Sequence, residues 1–193
     1  KLQTYKCPAN KEPTAEKSGN IDSHESDPIL LPFYIYICKW CVEKGYMLLW
    51  AFTVCQWNNM SRSINIDGLT WNMFHSGTDS IILKYYDTKT DPKGEKCTPK
   101  NCYANPFNYF ICICTALGCF FIIYDEKFNR ADQDEIFKHH KTKSSTASRS
   151  YCIQLAALFK EMGAPIHQWV REGHGSSHGL RKGAAILCTS GTI

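Results

Sequence analysis

A chain of 193 residues is long enough to bury one complete hydrophobic core and gives no reason to expect two equal domains. Its 44% hydrophobic and 21% charged residues match the usage of soluble globular proteins and exclude a disordered or fibrous chain. The net charge of +4 permits a polyanionic partner without requiring one.

Eleven cysteines in a secreted protein would imply disulfide bridges with one thiol left over. The chain begins at Lys1, however, and shows no charged segment followed by the apolar core of a secretory leader. The cysteines are therefore expected to be reduced and buried, packing as small hydrophobes in an intracellular protein.

Residues 1–27 are rich in Lys, Glu, Ser, Asn and Asp and read as a polar linker or tail, with one main domain over 28–193. From Ile29 to Trp57 the sequence turns apolar and aromatic, broken by Pro32 and Gly45, which predicts two packed helices. In NNMSRSINIDGLTW, Asn59 or Ser61 is placed to cap a short helix ending at Gly68, with Arg62 in its first turn. The stretch from Asp79 to Pro106 is β-branched early and carries Asp91, Pro92, Lys93 and Gly94 as turn signals. It predicts a β-hairpin with Lys84 and Lys89 on or near its first strand.

Residues 109–124 form an apolar run just below membrane-spanning length, interrupted by Thr115 and Gly118, and are expected to be a buried helix with no membrane partner. Asp132 to Lys138 reads as a short helix, and KHHKTKSSTASRS as a basic connection. YCIQLAALFKEMG has helical spacing with Gly163 as its stop, and SSHGLRKGAAILC has serines placed as caps before a helix of small residues. The fold class that results is α+β, mainly α, with a small β-hairpin or three-stranded sheet.

His178 and Arg181 stand at i and i+3 of that last helix, which sets imidazole and guanidinium on one face where together they can hold a phosphate. The surrounding wording, GSSHGLRKGAAILCTSGT, resembles the second conserved box of the tyrosine recombinases, in which HxxR opens a helix of small residues. RKGAA followed by SGT is closest to the recombinases of Crypton-type eukaryotic transposons. Upstream, AFTVCQWNNMSRSINIDGLTW resembles the family's first box, 116 positions separating Arg62 from His178. IILKYYDTKTDPKGE followed by YANPFNYFICICTALG resembles the lysine-bearing β-hairpin and the helix after it.

The resemblance implies a tyrosine recombinase-like catalytic domain acting on double-stranded DNA, with self-association on the DNA, no cofactor, no metal and a nuclear location. In it Arg62 and Arg181 would clamp the scissile phosphate, since a planar guanidinium grips two nonbridging oxygens and keeps its charge. Lys89 would be the general acid that protonates the departing 5′ oxygen, with Lys84 and Lys93 as alternatives. His178 would donate to the phosphate, and Lys141, Lys143 and Lys182 would add contacts to DNA.

Where the family places a further His or Trp and then the nucleophilic tyrosine, KGAAILCTSGTI has none of them, so a domain shortened at its C-terminus and inactive alone is expected. Two other readings compete. A non-catalytic DNA-binding remnant rests on the basic residues Lys138, Lys141, Lys143 and Arg149. A zinc module rests on Cys38 and Cys41 at CxxC spacing with Cys97, Cys102, Cys112, Cys114, His139 and His140, although CxxC within an apolar helix does not converge as zinc ligands do. Taken singly, Arg62 reads as a helix-surface arginine, Lys89 as a hairpin charge and His178 as a polar residue near a cap.

Overall fold

The computed structural model describes residues 26–85, 98–124, 134–137 and 146–190. It is mainly helical with one small antiparallel sheet. The first 25 residues of the expected polar tail lie outside the described residues.

The two apolar helices form as expected. Helix α1 (Leu31–Glu43) carries Pro32 in its first turn, where a missing N–H leaves no intrahelical bond unmade. The chain reverses at Gly45, whose φ of +75° suits a residue without a Cβ, and enters α2 (Met47–Asn58). Every residue of α2 from Leu48 to Trp57 is buried, Thr53 and Gln56 included. A helix apolar on all sides belongs in the middle of a core, and α1, α4, α5 and α6 surround it.

Helix α3 (Ser63–Asp67) is the short helix expected before Gly68, but neither Asn59 nor Ser61 caps it. Arg62 takes the N-cap position without a side-chain cap bond, because the Asn59 amide donates back to Cys55 O at 2.8 Å. The Ser61 hydroxyl lies 3.4 Å from the Tyr85 hydroxyl and 3.2 Å from Asn59 O. Three strands follow: β1 (Phe74–Ser76), β2 (Ser80–Leu83) and β3 (Lys100–Tyr103), in spatial order β1-β2-β3. The expected hairpin is β2 with β3, Ile81 opposite Cys102 and Leu83 opposite Lys100, and β1 adds a third strand with His75 opposite Ile82.

The apolar run at 109–124 begins as a tight turn over Tyr109–Ile111 and becomes α4 (Ile113–Ile123). One face of α4, Ile113, Ala116, Leu117 and Phe120, is buried, while Ile122 is 80% exposed. Among the described residues no helix is long and apolar enough to cross a membrane.

The short helix expected at 132–138 is not formed over its described part. Glu135 pairs with Thr70 in an isolated bridge, Ile136 N donates to Leu69 O at 2.8 Å and Trp71 N to Asp134 O at 3.2 Å. The backbone after α3 has left its helix and needs partners, and Ile136 and Phe137 enter the core as they supply them. Helix α5 (Ala147–Met162) starts four residues earlier than its apolar spacing signals, because the Thr146 hydroxyl caps it by accepting from Arg149 N, and it stops at Gly163 with φ +67°. Its start lies inside what reads as a basic connection. After a tight turn at Ala164–Gln168 the chain ends in α6 (Ser177–Ser190).

The extended segment before α1 lies directly on α6. Ile29 N donates to Gly179 O at 2.9 Å, and a Cβ at Gly179 or Gly183 would run into the carbonyl oxygens of Asp27 and Ile29 respectively. Asp27 is further fixed by Arg171, whose Nε donates to Oδ2 at 3.0 Å and whose backbone N donates to the same oxygen at 2.9 Å. The side-chain hydrogen bond from Arg171 outweighs burial and holds the Asp27 carboxyl at about 2.

Gly183→Ala is expected to destabilise the fold by about 3 kcal/mol in urea denaturation, because a backbone carbonyl must move. Gly118→Ala, with open space around its Cβ, should be neutral or stabilise by roughly 0.5–1 kcal/mol. The depressed carboxyl of Asp27 contributes stability that is complete above its unpaired value of 3.8 and is lost as pH falls toward 2. Asp27→Asn should therefore be less stable than the parent chain at pH 7, with the difference closing between about pH 4 and pH 2 in thermal melts.

Candidate functional site

Helix α6 begins with the Ser176 hydroxyl accepting from His178 N at 3.2 Å, the cap expected of a serine there. Gly179, Leu180, Gly183 and Ala184 form its buried face. His178 is exposed in the first turn, and Arg181 is half-buried one turn later. Lys182 turns the other way, its ammonium donating to Ser26 O at 3.0 Å, so it helps to hold the segment before α1.

Arg62 is exposed and follows a tight turn at the end of α2. Met60 has φ +47°, a left-handed conformation that costs a residue with a Cβ about 1 kcal/mol or more. Met60 N donates to Trp57 O at 3.0 Å and Ser61 N to Gln56 O at 3.0 Å. Asn59 beneath the turn is fully buried, and the thiol of Cys102 donates to its Oδ1 at 3.6 Å.

The first two turns of α5 join these two regions. The Ser148 hydroxyl donates to the Ser63 hydroxyl at 2.8 Å, and the Cys152 thiol lies 3.3 Å from the Ser177 hydroxyl. Ser148 and Cys152 are four residues apart on a helix, hence neighbours on one face, about 5–6 Å apart between Cβ atoms. Gln56 Nε2 donates to Ser177 O at 2.7 Å, tying the end of α2 to the start of α6. Arg62, beside Ser63, and His178, beside Ser177, therefore flank the same stretch of α5, which itself carries exposed Arg149 in its first turn.

Among the described residues no carboxylate pairs with Arg62, Arg149, His178 or Arg181, and no acidic side chain stands in the first turn of α5 or α6. Cations at helix starts oppose the helix dipole, so the surface around Arg62 and Arg149 is a basic strip. Guanidinium, imidazole and hydroxyl groups are donors of the kind that bind an anion with several oxygens.

The lysine assignments separate. Lys84 is exposed just past β2, its backbone N donating to Met73 O at 3.0 Å. Lys89, Lys93, Lys141 and Lys143 lie outside the described residues. Nothing in the spacing of Gln56, Ser63, Ser148, Cys152 and Ser177 marks them as parts of one region, although the hydroxyl run STASRS next to an apolar-spaced helix is the signal for a capped start at Ala147. A cleft of about 510 Å³ between α5 and the turn after it is lined by Phe159, Lys160, Ile166, His167, Val170 and Arg171, among others, and contains none of the assigned residues.

Tyr151 is fully buried with its hydroxyl 3.1 Å from that of Thr53, and burial pushes its ionisation well above the ordinary value, so it is not poised as a nucleophile. Cys38 and Cys41 lie buried in α1, where burial raises both thiols, Cys41 to about 12. Burial also pushes Cys102 up, to about 11. At Cys112, burial is outweighed by hydrogen bonds from Thr115 and from the backbone N–H of Asn105, and the thiol falls below its ordinary value. Among the described residues no cluster of three His, Cys, Asp or Glu side chains is grouped to hold a metal.

A thiol must ionise and be reached by reagent before it reacts. Alkylation of the folded chain at pH 8, followed by peptide mass spectrometry, should modify exposed Cys188 at once and spare Cys38, Cys41 and Cys55 until denaturant is added. Labelling of Cys38 and Cys41 at the rate of Cys188 would contradict their place in the core.

Comparison of the chain with protein-family models, with curated proteins and with solved structures found no match.

Proposed function

We propose that the chain is a DNA-binding domain of the tyrosine recombinase kind, gripping backbone phosphates of duplex DNA through Arg62, His178 and Arg181. The observation that carries the reading is the junction at α5. Two sequence segments 116 positions apart, each with an exposed or half-exposed basic residue, are joined by the Ser63–Ser148 and Cys152–Ser177 contacts, with no carboxylate among the described residues to neutralise them. The order of Arg62, an antiparallel sheet and then HxxR at a helix start also supports it.

In this reading Arg62 and Arg181 each hold nonbridging oxygens of one phosphate and stabilise the charge that develops on them as the ester exchanges. His178 donates a hydrogen bond to the same group. Lys89, in the connection between β2 and β3, protonates the departing 5′ oxygen, a task for a general acid beside a phosphate already neutralised by arginine. Lys84, Lys93, Lys141 and Lys143 extend the contact along the DNA backbone. In this reading the arginines and His178 hold phosphate while Tyr151 is buried and not poised to attack, so binding is the activity assigned to this chain itself. A nuclear location and self-association on DNA follow from the same reading.

Phosphate contacts add to affinity regardless of sequence and release counterions. Arg62→Ala and Arg181→Ala should each weaken binding to unrelated duplexes alike and reduce the slope of log K against log salt by about 1. Both variants binding as the parent chain does across the salt range would sink the reading.

A further inference from the structure

The connection between the sheet and the turn before Arg62 has a role that the sequence did not reveal. Lys100, the first residue of β3, reaches across to the end of α2, where its ammonium donates to Asn59 O. That carbonyl stands at the negative end of a helix buried on every side, a favourable place for a cation. The same ammonium sits 5.4 Å from the ring centroid of Tyr85, a cation–π distance, and the Tyr85 hydroxyl lies 3.4 Å from Ser61 Oγ. Two residues along β3, Cys102 meets Asn59 Oδ1.

The Asn59–Ser61 turn is thus gripped at three atoms, the Asn59 carbonyl and amide oxygen from β3 and the Ser61 hydroxyl from Tyr85 just past β2. Met60 in its middle holds a left-handed conformation that a methionine does not adopt unaided. Arg62 is the next residue along the chain, so whatever fixes the turn fixes where its guanidinium starts. Lys100 is half-buried against these groups, whereas Arg62 is exposed.

We infer that Lys100 is a positioning residue: it locks the Asn59–Ser61 turn from strand β3 and thereby sets Arg62 for phosphate. The inference rests on the phosphate-clamp reading. It separates Lys100 from the lysines of the hairpin connection, which would meet DNA directly.

The test uses the full chain, a fluorescently labelled DNA duplex and amide hydrogen exchange. Lys100→Met should speed exchange at Met60 and Ser61 about tenfold while leaving Leu158 in α5 unchanged, the signature of a local opening. It should weaken duplex binding no more than Arg62→Ala does, and the double variant should bind no worse than Arg62→Ala alone, as expected of two residues acting through one contact. Lys100→Arg, which keeps a cationic donor, should restore both readouts. If Lys100→Met also loosens Leu158, Lys100→Gln, which keeps a donor without the charge, takes its place.

Additive losses in the double variant would overturn the inference, since Lys100 would then touch phosphate itself. Unchanged exchange at Met60 and Ser61 would overturn it as well. Arg62→Ala binding like the parent chain takes Arg62 out of the phosphate clamp, and the inference falls with it, whatever Lys100→Met does to exchange.

Discussion

Helix α2 has no solvent face, and that constraint organises the molecule. A buried helix can carry polar side chains only if each finds a partner, because an unpaired polar atom in a core costs about 1–3 kcal/mol. Around α2 the partners are spread over different neighbours. Trp50 Nε1 donates to Phe110 O before α4, Thr53 meets Tyr151 on α5, Gln56 donates to Ser177 O at α6, and Asn59 at its end meets Cys102 of the sheet. Apolar contact would let these elements slide along α2. The four bonds fix their register, and with it the relation between Arg62 and the start of α6.

The second constraint is backbone proximity. The segment at 27–29 lies so close to α6 that two of its helical positions tolerate no side chain, and the small-residue wording of GLRKGAA is the imprint of that approach. Glycine within a helix lowers helical propensity by about 1 kcal/mol relative to alanine, so α6 depends on this packing more than on its own sequence. Asp27 with Arg171, and Lys182 with Ser26 O, hold the same segment from either side. The basic residues of α6 thus divide by face: Lys182 serves the fold, while His178 is left at the surface.

Elements with a one-dimensional signature were legible in the sequence. The apolar block broken by Gly45 gave α1 and α2, the β-branched run after Asp79 gave β2, which pairs with β3, and Gly163 gave the stop of α5. What failed to show depended on distant partners. Residues 134–137 have local helical character, yet they pair with Leu69–Trp71, whose backbone needs bonds that sequence neighbours do not offer. Asn59 and Ser61 have the chemistry of helix caps but face the sheet, because the buried end of α2 leaves groups there with a stronger need. Of the site, Arg62, His178 and Arg181 were visible as residue types at a spacing. The α5 contacts that join them were not, since Ser148 and Cys152 are ordinary residues whose meaning comes from what packs against them.

The basic residues Arg62, Arg149 and Arg181 near helix starts raise the question of what offsets their mutual repulsion. An interaction near the surface is screened over about 8 Å at physiological ionic strength, so the repulsion is modest while the chain is free in salt. It grows if a partner excludes water without bringing charge, and it becomes attraction if the partner is an anion. On the phosphate-binding reading, a polyanion would be favoured at this strip over a neutral or acidic-poor protein surface. An internal acid would relieve the repulsion in the free chain and compete with an external phosphate for the same donors. On the phosphate-binding reading, a bound anion with several oxygens would stabilise the fold by an amount that grows with its concentration relative to its dissociation constant.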